Sequence, residues 1–204
     1  LFLFFLLHQA YAFGQTPYYP EKIWAGKSAS AVGMEQVLLD SAVALAIGSE
    51  NKVERDLRIA NLKAYAREPN YTILGPMKER GAPAGLIIKN GYIVAQWGDI
   101  ERVDMTFSVT KSYLSTVAGL AIDKGLIKDV NDPVNRYVWD GTFDGVHNGK
   151  VTWKHLLQQT SDWSGCQFGT CDWADRPPKE GTIDDWKNRP MVDPGTQFEY
   201  NDTR

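Results

Sequence analysis

No stretch of the sequence approaches the roughly 20 consecutive apolar residues that a membrane-crossing helix needs. Its most apolar run, Leu1 to Leu7, is far shorter, and no permanent membrane anchor is expected. Dense blocks of Lys and Arg are missing as well: 22 basic residues stand against 25 acidic ones, for a formal net charge of -3. A chain without a basic patch lacks the electrostatic footprint that holds a phosphate backbone, so nucleic acid is not an expected partner. Soft metal ligands are scarce. Cys166 and Cys171 are the two cysteines, and His147 and His155 lie too far along the chain to complete a metal site by spacing. No metal or other cofactor is expected, and internal repeats and low-complexity tracts are absent.

What remains is a chain 43% hydrophobic and 12% aromatic, which suits one globular domain, or one carrying a sizeable insertion. Leu1 to Leu7 leads into Ala10-Tyr11-Ala12, a small-x-small pattern that a signal peptidase accepts before Phe13. Residues 1–12 therefore read as an export signal whose basic n-region is missing, and the location expected is periplasmic or secreted. In that oxidising setting Cys166 and Cys171, in a Gly- and Trp-rich loop, are spaced to allow a disulfide. The chain reads as an N-terminal fragment, with residues 13–104 as one part and residues 105–204 as a mostly helical part.

The spacing of Val37, Leu38, Ser41, Ala42 and Leu45 predicts an amphipathic helix over residues 34–47, and a second helix is expected over 53–66. Leu86 to Lys89 and Tyr92 to Ala95 flank Asn90-Gly91, the strongest short-range signal for a two-residue hairpin. From Thr106 onward the pattern turns helical. Leu114, Val117, Ala118 and Ala121 mark one face of a helix that runs into Lys124 and stops at Gly125. A short helix is expected over 153–158, followed by a long loop region ending at Tyr200.

Ser108-Val109-Thr110-Lys111 is a Ser-x-x-Lys at the start of that third helix, and one-turn spacing puts hydroxyl and amine on the same face. A serine is a weak nucleophile at neutral pH and needs an adjacent base. A helix N-terminus adds partial positive charge and free N–H groups beside the developing oxyanion. The tetrapeptide is short, and Ser49-Glu50-Asn51-Lys52 fits it equally well. That second copy follows a helix, opens a charged stretch and has no apolar helix behind it, so context favours Ser108.

Read in order, several segments resemble the beta-lactamase-related serine hydrolases, a family that includes class C beta-lactamases, DD-peptidases, esterases and 6-aminohexanoate-dimer hydrolases. They are the Asn90-Gly91 hairpin, Phe107-Ser108-Val109-Thr110-Lys111, Lys124-Gly125-Leu126-Ile127 with Asp132-Pro133-Val134, His155-Leu156-Leu157-Gln158-Gln159-Thr160-Ser161, and Pro194-Gly195-Thr196-Gln197-Phe198-Glu199-Tyr200. Together they span about 84–204. The resemblance implies an α/β (α+β) fold: an antiparallel sheet flanked by helices, plus a mostly helical insertion, with the C-terminal strands missing here. It implies that Ser108 attacks a carbonyl, that Lys111 takes or relays its proton, and that Tyr200 acts as a second base and protonates the leaving group. Tyrosine does this only where nearby positive charge favours the phenolate over its ordinary pKa of roughly 10, and Lys111 would supply that charge. One oxyanion donor would be the backbone N–H of Ser108, the family's second coming from a late strand that this sequence does not reach.

After the tyrosine the family often shows Tyr-x-Asn, whereas this chain has Tyr200-Asn201-Asp202. An amide donates to a substrate carbonyl but an ionised carboxylate only accepts. The expected substrate is therefore a small ester or amide other than a beta-lactam or peptide, with Asn201 and Asp202 as substrate contacts. Trp163 and Trp173 are secondary candidates for the cleft wall, although loop tryptophans more often form local core. His155, inside an apolar helical run, reads as a packing residue. Two alternatives stand beside the esterase or amidase: a class C beta-lactamase or DD-carboxypeptidase, and an inert binding or sensor protein of the same fold.

Overall fold

The computed structural model describes residues 18–66, 71–167, 170–171 and 182–200; the expected export signal, residues 1–12, lies outside them. The chain forms two compact units, Leu1–Val53 with Gly81–Val103, and Glu54–Arg80 with Asp104–Arg204.

In the first unit, strands β1 (Gly85–Lys89) and β2 (Tyr92–Trp97) pair antiparallel. Asn90 and Gly91 carry φ of 52° and 84°, the two successive positive values that a type I′ turn requires and that Asn-Gly supplies at little cost. The register slips between Ile87 and Ile88. The other edge of β2 takes a short parallel partner: Lys27 N–H donates to the Ile93 carbonyl (2.9 Å) and Ile93 N–H to the Ala25 carbonyl (3.0 Å). Tyr18 stacks on Tyr92 with ring centroids 4.3 Å apart, and the Lys27 ammonium sits 3.7 Å from the Tyr92 centroid.

Helix α1 (Gln36–Gly48) lies against β2. Its inward face differs from the one expected: Leu39 is buried and Val43 half-buried, while Val37, Leu38 and Leu45 are exposed. Residues 39 and 43 are one turn apart, and α1 is apolar almost all round, so periodicity could not single out the buried stripe.

In the second unit α2 (Leu57–Tyr65) is shorter than expected, because the Asp56 side chain accepts from Arg58 N–H and caps the helix there. A 3-10 turn, Phe107–Val109, runs directly into α3 (Thr110–Asp123). Here the expected stripe holds in part: Ala118 and Ala121 are half-buried, together with Lys111 and Ile122, while Leu114 and Val117 are exposed. Gly125, at φ 68°, ends the helix as expected.

Most of the buried residues lie further on. Pro133 bridges Thr152, Val134 N–H donates to the Val151 carbonyl (2.9 Å), and Lys154 N–H donates to the Val130 carbonyl (2.8 Å). These bonds bury Val134 and Val151 with Ile127 and Trp163 nearby in sequence. Helix α4 (Trp153–Leu157) starts at a capping box between Thr152 and His155. The expected long loop is more structured than composition indicated. Strands β3 (Cys166–Gln167) and β4 (Thr170–Cys171) form a small hairpin with Cys166 and Cys171 joined as a disulfide. Helix α5 (Ile183–Lys187) begins at a second capping box, Thr182 with Asp185, a Thr-x-x-Asp version of the usual Ser/Thr-x-x-Glu signature.

Candidate active site

Ser108 sits in the 3-10 turn immediately before α3, exposed and within reach of the helix's N-terminal dipole. The preceding residue, Phe107, is held at φ 46°, a left-handed conformation that costs a bulky residue of order 1–3 kcal/mol and concentrates at functional turns. The turn is braced by Val109 N–H donating to the Thr106 carbonyl (3.1 Å) and by the Thr106 and Thr110 hydroxyls, 3.0 Å apart. Lys111 follows one turn on, on the inward face of α3.

Tyr200 arrives from 92 residues away, and its hydroxyl donates a hydrogen bond to Ser108 Oγ. The Lys111 ammonium lies 4.9 Å from the centroid of the Tyr200 ring, inside the range of a cation–π contact. Three side chains that the sequence ordered but could not bring together thus converge on one point. The competing Ser49 caps the C-terminal end of α1 in the other unit. An N-terminal dipole end is absent there, and the apolar helix lies before the serine instead of after it.

The segment that delivers Tyr200 runs along the loop after α4. Gly195 N–H donates to the Thr160 carbonyl (2.7 Å) and Glu199 N–H to the Gln159 carbonyl (3.0 Å). Gly195 has φ 89°, and a Cβ there would lie 2.8 Å from His155 Nε2, so both conformation and space demand glycine. His155 is structural, as expected: its Nδ1 accepts from Thr152 N–H (3.2 Å). Burial, and secondarily the charge of Lys154, hold its pKa below the ordinary 6.5.

A depressed histidine pKa means that the fold binds fewer protons than the unfolded chain below about pH 6.5. Its stabilising effect is complete above that pH and is lost as pH falls through the interval between the unfolded and folded values. The melting temperature should therefore decline on acidification from pH 7 to 5.5. In His155→Gln, which keeps an acceptor but does not titrate, part of that decline should disappear, as thermal melts across the pH series would show.

Two residues that sequence reasoning missed are Asp162 and Arg189. The Asp162 carboxylate accepts from Arg189 Nη2 (2.6 Å), Arg189 Nη1 (3.2 Å) and Val192 N–H (2.7 Å), with both side chains largely buried. Lying 27 positions apart in loop segments, they offered no periodic or motif signal. Trp163, a candidate for the cleft wall, is instead core: it is 2% exposed and its Nε1 donates to the Thr142 carbonyl (2.9 Å). Asn201, Asp202 and Trp173 lie outside the described residues. Among the described residues no cluster of His, Cys, Asp and Glu could hold a metal ion, and no helix is long and apolar enough to cross a membrane.

Comparison with known proteins gives one family. The family model described as beta-lactamase matches residues 80–204, more than half of the chain and the whole stretch that carries Ser108, Lys111 and Tyr200. No curated protein and no solved structure matches the chain. With its ordered motifs and the family match covering the same residues, the chain belongs to the beta-lactamase family of serine hydrolases, enzymes of α/β fold that act on small molecules.

Proposed function

We propose that this protein is an exported serine hydrolase that forms an acyl-enzyme on Ser108 and hydrolyses a small ester or amide. The observation that carries this reading is the hydrogen bond between Tyr200 and Ser108 beside the Lys111 ammonium. With Tyr200 as phenolate, the same geometry has Ser108 donating its proton while Oγ forms a bond to the substrate carbonyl carbon. The positive charge of Lys111 favours the phenolate, and the N-terminal end of α3 favours the negative charge developing on the carbonyl oxygen. Collapse of the tetrahedral species breaks the bond to the leaving group, which takes the proton from Tyr200. Water then repeats the sequence: Tyr200 accepts its proton, hydroxide oxygen bonds to the acyl carbon, and the ester bond to Ser108 Oγ breaks as the serine regains a proton.

An ester or amide is favoured over a beta-lactam because the sequence has Asp202 at the motif position where the family often has Asn, and an ionised carboxylate cannot donate to a substrate carbonyl. Export is favoured by the apolar run and small-x-small site over residues 1–12, and the Cys166–Cys171 disulfide is in keeping with an oxidising compartment.

The test is to trap the acyl-enzyme. The intact protein, mixed with a p-nitrophenyl ester and quenched in acid, should gain the mass of one acyl group, localised by peptide mapping to the peptide containing Ser108. Acylation by a penicillin with slow release would instead point to the beta-lactamase alternative. No adduct with either reagent, together with no turnover, would favour an inert binding protein.

A further inference from the structure

We propose that Asp162 and Arg189 act as a latch that positions Tyr200 against Ser108, making both of them positioning residues; the inference rests on the hydrolase reading above. The arm from residue 189 to Tyr200 runs antiparallel to the loop after α4, with contacts in reverse order along the two segments: Val192 N–H on the Asp162 carboxylate, Gly195 N–H on the Thr160 carbonyl and Glu199 N–H on the Gln159 carbonyl. The last contact is one residue before the tyrosine. The Asp162–Arg189 pair precedes all three at the arm's origin, and it is unlike them.

The Asp162 and Arg189 side chains are 3% and 11% exposed, and the guanidinium engages both carboxylate oxygens. Taking two charges out of water costs about as much as their attraction returns, so such a pair is weak evidence for net stability. What a two-pronged contact does supply is a fixed orientation, since it constrains direction as well as distance. Asp162 is itself pinned. It holds φ 41°, and His147 Nε2, 2.7 Å away, donates to its carbonyl. From the other side the guanidinium lies 5.6 Å from the Trp186 ring centroid, tying the arm's origin to α5.

Without the guanidinium, the ion pair left at the start of the arm is Lys150–Asp193, beside the single Val192 N–H bond to Asp162. That pair is 2.8 Å apart, but its side chains are 55% and 69% exposed, and exposed ion pairs hold little. Slack there would pass to the arm's free end, where the Tyr200 hydroxyl must meet Ser108 Oγ. A displacement of about 1 Å at a proton-transfer contact can cost on the order of 100-fold in rate.

Two substitutions test the latch from different ends in the intact protein. Arg189→Lys keeps the charge but replaces the planar fork with a point ammonium. Gly195→Ala pushes the arm off His155. Each should lower kcat for a p-nitrophenyl ester about tenfold or more and leave KM nearly unchanged. In a Tyr200→Phe background neither should lower kcat further, because the hydroxyl through which they act is gone. Melting curves accompany the kinetics, and Asp162→Asn, which keeps an acceptor for Val192 N–H, replaces Arg189→Lys if that variant fails to fold. Equal losses in both backgrounds, or full kcat in the variants, would overturn the latch while leaving the hydrolase intact. An inactive parent protein with no adduct on Ser108 would overturn the hydrolase reading and the latch with it.

Discussion

Ser108→Ala is expected to lower turnover of an activated ester by about 10⁴-fold or more, the scale on which loss of a covalent nucleophile registers in serine hydrolases. Alanine removes the atom that bonds to the acyl group but leaves the 3-10 turn, the dipole of α3, Lys111 and Tyr200 in place. Residual rate would then report only binding and electrostatic stabilisation. Steady-state kinetics on the intact protein, with Ser49→Ala as the companion, separates the two Ser-x-x-Lys motifs: Ser49→Ala should turn over like the parent. Retained activity in Ser108→Ala would remove Ser108 from the mechanism, and loss in Ser49→Ala alone would move the nucleophile to the other unit.

The second large effect is expected at Tyr200. Phenylalanine keeps the ring that faces the Lys111 ammonium at 4.9 Å and loses only the hydroxyl bonded to Ser108. If the hydroxyl relays protons, kcat should drop by roughly 10²- to 10⁴-fold, the usual span for removing a general acid–base group, with the melting temperature little altered. The loss should be larger for a substrate with a poor leaving group than for p-nitrophenol, because an alkoxide or amine needs the proton that Tyr200 returns and a nitrophenolate does not. Equal losses for both substrates would leave Tyr200 a role in activating Ser108 but none in protonating the leaving group. An unimpaired Tyr200→Phe would shift the proton transfer to Lys111 alone.

These expectations differ in how far the sequence alone supported them. The Asn90-Gly91 hairpin, the helix following Ser108 and its stop at Gly125 were legible because each depends on interactions within a few residues. A turn needs two positive φ values, a helix needs a run without breakers, and a helix end needs a residue that tolerates φ 68°. Helix faces were less legible. In α1 and α3 apolar residues lie on several sides, so the inward stripe depended on what each helix met. The capping box that opens α5 went unread because aspartate stands in for the usual glutamate.

Of the site, the sequence determined the local half: the nucleophile and its lysine on one helical turn, the apolar helix behind them, and a tyrosine at the end of a Pro-Gly motif. Tertiary structure alone decided that Tyr200 reaches Ser108 across 92 positions, that Asp162 meets Arg189 across 27, and that Trp163 belongs to the core. The physical reason is one of range. Spacing along a chain fixes which side chains share a turn or a strand face, since backbone geometry leaves few choices over three or four residues. Which distant segments meet is set by the packing of all of them at once, and no local pattern carries that information.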